Sequence, residues 1–307
     1  MSEEIRFSEY EKCMLCPREC KVNRYEKSGY CREKSTLHVA RAALHMWEEP
    51  CISGKNGSGT VFFSGCNMGC VFCQNRAISR GETGKHITKE RLTEIFFELQ
   101  EQGANNINLV TGDIFLPTIR SAIESAKDQG IRIPFLLNTS SYVNVEAIKA
   151  LEGLVDIYLP DMKYIRDEDA LRYSNAPGYA VAAKAAVDEM VRQHPECVFG
   201  NTGSEDGMLT EGVVVRHLLM PGMLIQAKLI VKHLYERYGD SIYISLLSQF
   251  TPGEGLAAYP EINRKVTGHE YKSLVDYAAQ IGVKNGFMQV GDTAKDSFIP
   301  EFDCRGV

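Results

Sequence analysis

Short apolar runs alternate with longer amphipathic segments along most of this 307-residue chain. Runs of strand length occur at residues 60–63, 106–111, 134–138, 155–159, 212–220, 241–247 and 286–290. Strands that alternate with helices form parallel βαβ units, so the pattern predicts an α/β fold, a partial (β/α)6 barrel. Ligands of such folds bind at the carboxyl ends of the strands, and the residues that follow each run are therefore the first candidates for a site.

Helical spacing fills the intervals between these runs. Apolar residues recur at i, i+3, i+4 and i+7 after Thr88, a suitable N-cap, and the pattern stops at Gly103. Further helices are predicted at residues 116–129, before Gly153, at 179–192, after Gly222 and at 269–282. Residues 197–210 are predicted to form an irregular excursion or a hairpin.

The chain divides into three predicted parts. Residues 1–55 form a cysteine-rich metal-binding segment, residues 56–295 the partial barrel, and residues 296–307 a C-terminal tail. A Gly/Ser-rich stretch from Ser53 to Gly59 is predicted to be the linker into the barrel. A length of 307 residues suits one α/β barrel with an appendage.

Composition limits the surroundings in which the protein works. The net charge of −6 gives no general attraction to nucleic acid or to an anionic membrane, so neither is an expected partner. The longest apolar runs have strand length, and the first residues lack a signal peptide. Ten cysteines in a chain without a secretory signal indicate metal sites in a reducing compartment rather than disulfides. A cytoplasmic location is therefore expected.

Three cysteines follow the first predicted strand with the spacing C-x3-C-x2-C, at Cys66, Cys70 and Cys73. Cysteine thiolates bind iron–sulfur clusters, and three of them this close can hold three corners of a [4Fe–4S] cubane. The next cysteine is Cys197, so one iron is left open to a ligand that is not protein. A zinc knuckle or buried structural cysteines are the alternatives. The aromatic Phe72 and the preceding apolar strand favour the cluster.

A second cysteine set lies in the N-terminal segment with the spacing C-x2-C-x3-C-x10-C, at Cys13, Cys16, Cys20 and Cys31. Four thiolates complete a tetrahedral site with no open position, which is typical of a structural metal. The spacing does not separate zinc from a second iron–sulfur cluster, and a site without metal is the third alternative.

Three stretches together resemble the radical S-adenosylmethionine (SAM) superfamily, at residues 65–75, 161–163 and 216–222. Within it they are similar to pyruvate formate-lyase activating enzyme-like proteins of the subgroup whose N-terminus reads Cys-x-x-Cys-Pro-Arg-x-Cys. The resemblance extends from Cys13 to residues 298–303. It implies a [4Fe–4S] cluster whose open iron chelates the amino and carboxylate groups of SAM, with flavodoxin or ferredoxin as the reductant.

The resemblance also assigns residues at the strand ends to SAM. Gly112 and Asp113 stand where the family has a Gly-Gly-Glu-like turn, and Thr139 stands where related activating enzymes read Thr-Asn-Gly. Asp161 and Lys163 match an Asp-x-Lys motif, and in a β conformation both point to one side.

The pair Arg216 and His217 interrupts the apolar strand at residues 212–220. Alternation turns one of the two towards the barrel interior, where it is expected to meet the carboxylate or ribose of SAM. Arginine suits a carboxylate through its bidentate fork, and a histidine satisfied within the core is the alternative reading.

The implied activity is that of a radical SAM oxidoreductase of the glycyl-radical-enzyme activase type. SAM is reductively cleaved to methionine and a 5′-deoxyadenosyl radical, which abstracts hydrogen from a substrate. The donor is a glycine of a glycyl radical enzyme or, as the alternative, a small metabolite, a peptide or an RNA base. Two departures from the activases are the altered Gly-Gly-Glu turn and the lack of cysteines between Cys73 and Cys197.

A reading of another class is a metal-binding interaction module with an inactive barrel. The intact Cys66, Cys70 and Cys73 and the Asp161–Lys163 pair disfavour an inactive barrel. The acidic charge disfavours a nucleic-acid partner, because phosphate contacts need a positive surface.

Overall fold

The computed structural model describes residues 6–289 and 300–307, and a mixed β-sheet organises this part of the chain. Its strands are β1 Leu37–His45, β2 Ser58–Phe63, β3 Lys85–Ile87, β4 Ile107–Val110, β5 Phe135–Thr139, β6 Ile157–Pro160, β7 Val198–Gly200, β8 Met208–Leu218, β9 Tyr243–Leu247 and β10 Gly286–Met288. The strand order is β10-β9-β8-β6-β5-β4-β2-β1-β3, with β7 paired to β8. All neighbours from β2 to β10 along this path are parallel.

The helices are α1 Ser8–Glu11, α2 Pro50–Ser53, α3 Arg76–Ser79, α4 Lys89–Glu101, α5 Leu116–Asp128, α6 Val145–Lys149, α7 Asp167–Ser174, α8 Tyr179–Gln193, α9 Leu224–Tyr238 and α10 Gly268–Ile281. Short 3-10 helices occur at Gly112–Phe115, Gly239–Ser241 and Glu254–Leu256. Among the residues with described positions, no helix has both the length and the apolar character needed to cross a membrane.

The six parallel strands β2, β4, β5, β6, β8 and β9 confirm the predicted α/β fold with a partial barrel. The helix predicted after Thr88 is confirmed as α4. The Thr88 hydroxyl accepts a hydrogen bond from the Arg91 backbone N–H at 3.2 Å, and its predicted apolar face is buried. The hairpin alternative at residues 197–210 is also confirmed, because β7 pairs with β8 in antiparallel register. The last predicted strand begins as β10, and its residue 290 lies outside the described residues.

The sheet begins earlier in the sequence than the predicted barrel. Strand β1 pairs antiparallel with β2, and β3 pairs antiparallel with β1, but neither β1 nor β3 is predicted. The stretch from Ser53 to Gly59 is therefore not an interdomain linker, since it lies between two strands of one sheet and ends inside β2. The division at residues 55 and 295 stays a prediction, and residue 295 lies outside the described residues.

Helix α2 closes the inner face of the barrel at the amino ends of the strands. Cys51 and Ile52 pack there in one apolar cluster whose other members come from the strands, namely Leu136, Ile157, Leu159, Leu209 and Val214. Side chains two residues apart on a strand share a face, so Asn138 of β5 and Arg216 of β8 stand on the same inner face, nearer the carboxyl ends. The barrel is therefore apolar at its base and polar above it.

We expect Ile52→Ala to lower the free energy of unfolding by about 2–5 kcal/mol, because it empties a fully buried site at this base. Urea denaturation of the parent and variant measures the loss. Ile225 of α9 is 78% exposed, and Ile225→Ala is the matched control with an expected change within about 0.5 kcal/mol. Equal losses in the two variants would contradict the closing role of α2.

Candidate active site

A cavity of about 470 Å³ opens at the carboxyl ends of the parallel strands. Seven of the residues predicted to bind the cluster or SAM line it together, namely Cys66, Cys70, Cys73, Thr139, Asp161, Lys163 and Arg216. They come from the loop after β2 and from the ends of β5, β6 and β8. The fold therefore brings residues 150 positions apart in sequence to one site.

The loop with three cysteines is packed tightly against the N-terminal segment. Gly65 has a φ of +84°, and a Cβ there would lie 2.3 Å from Glu33 Cγ and 2.9 Å from the Cys31 carbonyl oxygen. Only glycine adopts this positive φ readily and also leaves room for these two neighbouring atoms without a shift of the backbone. The loop is therefore held at a fixed distance from the segment behind it.

The thiols of this loop fit the donor set of a cluster with one open iron. The Met68 backbone N–H donates to Cys66 Sγ at 3.4 Å, and the Ser174 hydroxyl donates to Cys70 Sγ at 2.9 Å. Burial raises the pKa of Cys70 to about 11, although Lys163 beside it acts in the opposite direction. Burial likewise raises the pKa of Cys66. A metal that binds thiolates would offset this cost, because binding displaces the thiol protons.

Within residues 6–289 and 300–307, no three Cys, His, Asp or Glu side chains are arranged around one point as ligands of a single metal ion. A cubane differs from such a site because each thiolate binds a different iron. The assignment of Cys66, Cys70 and Cys73 to a cluster stays a prediction that their placement around the cavity supports.

The N-terminal cysteines form a second group of neighbouring thiols. Burial raises the pKa of Cys16 to about 11, and the nearby Cys20, Cys13 and Cys31 raise it further. A Cβ at Gly29 would lie 3.3 Å from Cys20 Sγ and 3.7 Å from Cys31 Sγ, so the glycine leaves room beside these sulfurs. Zinc, a second cluster and a site without metal all stay open for this group.

Arg18 ties the N-terminal segment to the loop with three cysteines. Its guanidinium lies 3.3 Å from the centre of the Tyr30 ring and donates to the backbone carbonyl oxygens of Asn67 and Asn175. Asn67 belongs to the loop itself, and Asn175 follows α7. The arginine therefore joins the loop and the end of α7 to the N-terminal segment.

Asp161 and Lys163 form an ion pair inside the cavity. Lys163 Nζ lies 2.6 Å from Asp161 Oδ2, and Arg216 Nε lies 3.1 Å from Asp161 Oδ1. Burial alone would raise the pKa of Asp161, but Lys163 and Arg216 bring that pKa below its usual value. Asp161 is therefore ionised at neutral pH and holds both cations at the wall.

Glu48 is a member of this charge network that the sequence analysis does not predict. Its carboxylate accepts hydrogen bonds from Arg216 Nη1 at 3.0 Å, Asn108 Nδ2 at 3.0 Å and Asn138 Nδ2 at 3.3 Å. The signal in the sequence is indirect: Asn108, Asn138 and Arg216 interrupt apolar strands. Buried polar side chains at such positions need a partner, and that partner is the carboxylate of Glu48.

Three of the residues assigned to SAM, Gly112, Asp113 and His217, are not among the residues that line the cavity, and their assignment stays a prediction. A Cβ at Gly112 would lie 2.7 Å from Ile119 Cδ1, so this glycine packs against the core. His217 faces away from Arg216 because neighbours on a strand point to opposite sides. Its Nδ1 lies 2.8 Å from the Met162 carbonyl oxygen, and burial lowers its pKa to about 4.

Asp113 is buried behind the cavity wall. Both of its carboxylate oxygens are buried, close to the Thr139 side chain and the Ser140 backbone. Burial raises the pKa of Asp113 to about 6, against the opposing effect of nearby Thr139 and Ser140. Asp113 is therefore not part of the cavity lining in this structure.

We expect Arg216→Met to lower the free energy of unfolding by about 3–5 kcal/mol, because it leaves Glu48 and Asp161 without their shared cation. Adding Glu48→Gln should restore at least about 1 kcal/mol relative to the sum of the single effects. Urea denaturation at pH 7 measures the coupling. The exposed pair Lys272–Asp276 is the control, and strictly additive losses at Arg216 and Glu48 would contradict the network.

The sequence of this chain is similar to one family model and to one uncharacterized relative. Residues 60–203 match the sequence model of the Radical SAM superfamily. The uncharacterized protein MJ0674 of Methanocaldococcus jannaschii is 29% identical over 282 residues, which are 90% of this chain and 76% of that protein.

The solved structures that resemble this fold do so weakly. A radical SAM methyltransferase from Sphaerobacter thermophilus is 16% identical with a TM-score of 0.49, over 77% of this chain and 67% of that one. Streptococcus suis SuiB bound to S-adenosylmethionine is 10% identical with a TM-score of 0.46, over 74% of this chain. The chain spans about half of SuiB, with 48% covered.

The matched range of the family model contains the three cysteines of the cavity, Asp161 and Lys163. The match to the superfamily model implies that the protein is an enzyme with a [4Fe–4S] cluster and SAM as cofactors. Residues 60–203 are a domain of the radical SAM superfamily.

Proposed function

We propose that Cys66, Cys70 and Cys73 bind a [4Fe–4S] cluster, that SAM binds beside it in the cavity, and that the enzyme removes a hydrogen atom from a substrate. The observation that carries the proposal is that three thiols and a cation–carboxylate wall line one cavity. When bound, the cluster and SAM supply one-electron cleavage of the SAM carbon–sulfur bond and hydrogen abstraction, with flavodoxin or ferredoxin as the electron donor.

The wall of the cavity suits the charges of SAM. An amino acid group carries one carboxylate and one ammonium, and Lys163 and Asp161 offer the opposite charges side by side. The Tyr179 hydroxyl accepts from the Lys163 backbone N–H at 3.0 Å and donates to the Asp161 carbonyl oxygen at 2.8 Å. These bonds fix the backbone that carries both charges, so the pair is oriented before a ligand arrives.

Aromatic side chains shield this part of the cavity from water. Phe72, between the second and third cysteines, lies 5.6 Å from Phe250 between ring centres, and both line the cavity. Apolar cover lowers the local dielectric and strengthens the charge interactions within. It would also protect a reactive intermediate from side reactions.

A glycine Cα of a partner glycyl radical enzyme is the finer proposal for the hydrogen donor. The Asp161-Met162-Lys163 motif, which resembles that of the activases, supports it. A small metabolite is the second candidate, and Glu48 and Glu49 at the cavity wall favour it because acidic groups there can bind a polar molecule.

We expect the anaerobically purified and reconstituted protein to form 5′-deoxyadenosine from SAM when dithionite is added. Cys70→Ala should abolish this product, because it removes one of the three thiolates proposed to hold the cluster. Chromatography quantifies the product. Cys197→Ala is the matched control, since Cys197 lies outside the cavity lining. A reducible cluster with no product would argue for the interaction-module reading, whereas equal product in the parent and Cys70→Ala would contradict the role of Cys70 in holding the cluster.

Asp161→Asn should weaken SAM binding about tenfold or more and leave the iron content unchanged. The change removes a charged hydrogen-bond partner of Lys163 and Arg216, which is worth about 1.5–3 kcal/mol. Calorimetric titration with SAM measures the affinity. Asp128→Asn, at an exposed position of α5, is the control, and an unchanged affinity in Asp161→Asn would remove Asp161 from the site.

A further inference from the structure

The cavity contains an acidic residue, Glu49, that the proposed cleavage of SAM does not use. It lines the cavity, and only 7% of its surface is exposed. It immediately precedes α2, which closes the base of the barrel.

The backbone around Glu49 is fixed on several sides. Its carbonyl oxygen accepts from the N–H groups of Ile52 at 2.8 Å and Ser53 at 3.0 Å. The Ser53 hydroxyl accepts from the Glu48 N–H at 3.0 Å, and Asn106 Nδ2 donates to the Ile52 carbonyl oxygen at 2.8 Å. These hydrogen bonds within and around α2 therefore fix the backbone position of Glu49.

The carboxylates of Glu48 and Glu49 differ in their hydrogen-bond partners. Glu48 accepts from Arg216 and two asparagines, as described above. Glu49 Oε2 is buried and has no hydrogen-bond partner among the described residues. Burial and the nearby Glu48 raise the pKa of Glu49, and Arg216 together with a hydrogen bond from the Ser245 side chain lowers that pKa only in part. A buried carboxylate oxygen without a donor is destabilising, so a group that supplies a donor would bind favourably.

No cation on the described wall is left to pair with Glu49. Arg216 donates through Nε to Asp161, through Nη1 to Glu48 and through Nη2 to Asn138. Lys163 is engaged by Asp161. His45 also lines the cavity, but burial and the nearby Arg41 and Arg216 lower its pKa to about 4, so it is neutral at pH 7.

The described lining therefore contains one more acidic side chain than basic side chains. The acidic members are Glu48, Glu49 and Asp161, and the basic members are Lys163 and Arg216. A positively charged group next to Glu49 would favour the ionised form of its carboxylate, and in a site of low dielectric that interaction is strong.

We propose that Glu49 binds a protonated amine of the substrate, which makes the substrate of this enzyme an amine or an amino-acid-like compound. The proposal rests on the proposed function, since it assigns the substrate of that same cavity.

The order of contacts across the cavity separates this amine site from the expected place of SAM. Cys70 interacts electrostatically with Lys163 and Asp161, whereas the charged neighbours of Glu49 are Arg216 and Glu48. Arg216 lies between the two groups, because it contacts both Asp161 and Glu48. A cofactor anchored at the cysteines would meet Lys163 and Asp161 first, which leaves Glu49 for a second molecule.

The test uses n-butylammonium as the probe and 1-butanol as its neutral isostere. Each is titrated against the reconstituted, SAM-loaded protein with an oxidised cluster, so that no turnover occurs, and saturation-transfer NMR reports binding. We expect saturable binding of n-butylammonium, at least about tenfold weaker in Glu49→Gln. The variant Glu124→Gln, at an exposed position of α5, should bind as the parent does.

Three outcomes would overturn the proposal. The parent binds 1-butanol as well as n-butylammonium, or Glu49→Gln binds n-butylammonium as tightly as the parent, or the SAM affinity of Glu49→Gln falls in parallel. The third outcome would place Glu49 in the cofactor pocket. Glu49→Asp, which keeps the charge on a shorter side chain, should bind n-butylammonium more tightly than Glu49→Gln.

Formation of 5′-deoxyadenosine by the parent without any amine is measured separately. Absence of this product would count against the proposed function, whereas loss of selectivity for the amine counts only against the role of Glu49.

Discussion

The buried guanidinium of Arg216 is the charge on which the arrangement of the cavity depends. It binds Asp161 at the end of β6, Glu48 before α2 and Asn138 on β5. A buried cation that loses its partners costs several kcal/mol, so these three elements must approach one another for the chain to fold. Because Asp161 also binds Lys163, which lies beside Cys70, the same constraint extends to the loop that holds the cysteines.

Because side chains alternate between the two faces of a strand, the residues on the inner face form an apolar layer and a polar layer. Leu136 and Asn138 share one face of β5, and Val214 and Arg216 share one face of β8, so an apolar layer lies beneath a polar one. Helix α2 covers the apolar layer and brings Glu48 to the polar one. A charged residue displaced by a single position would face the helices instead, as His217 does, and would lose its access to a ligand.

The parts of the fold that were predicted depend on local patterns. The parallel strands and α4 follow from periodicity, and the cysteine loop and Asp161-x-Lys163 follow from spacing. Strand β1 was missed because its apolar run is interrupted by charged and histidine side chains. Glu48 was missed because it pairs with Arg216, 168 positions away. The geometry at residues 111–113 could not be predicted from the sequence, because the direction of the Asp113 side chain depends on the left-handed backbone of Thr111, with φ of +60°, and on the 3-10 turn that follows it.

The N-terminal segment packs against the loop that lines the cavity, although none of its four cysteines is among the residues that line the cavity. Glu33 packs against Gly65, and Arg18 donates a hydrogen bond to the carbonyl oxygen of Asn67. Both contacts support the loop that contains Cys66 and Cys70. The four N-terminal cysteines lie within the segment that provides these contacts. Any metal that they bind would therefore stabilise the support of the cluster loop, because a lobe this small has little apolar core of its own.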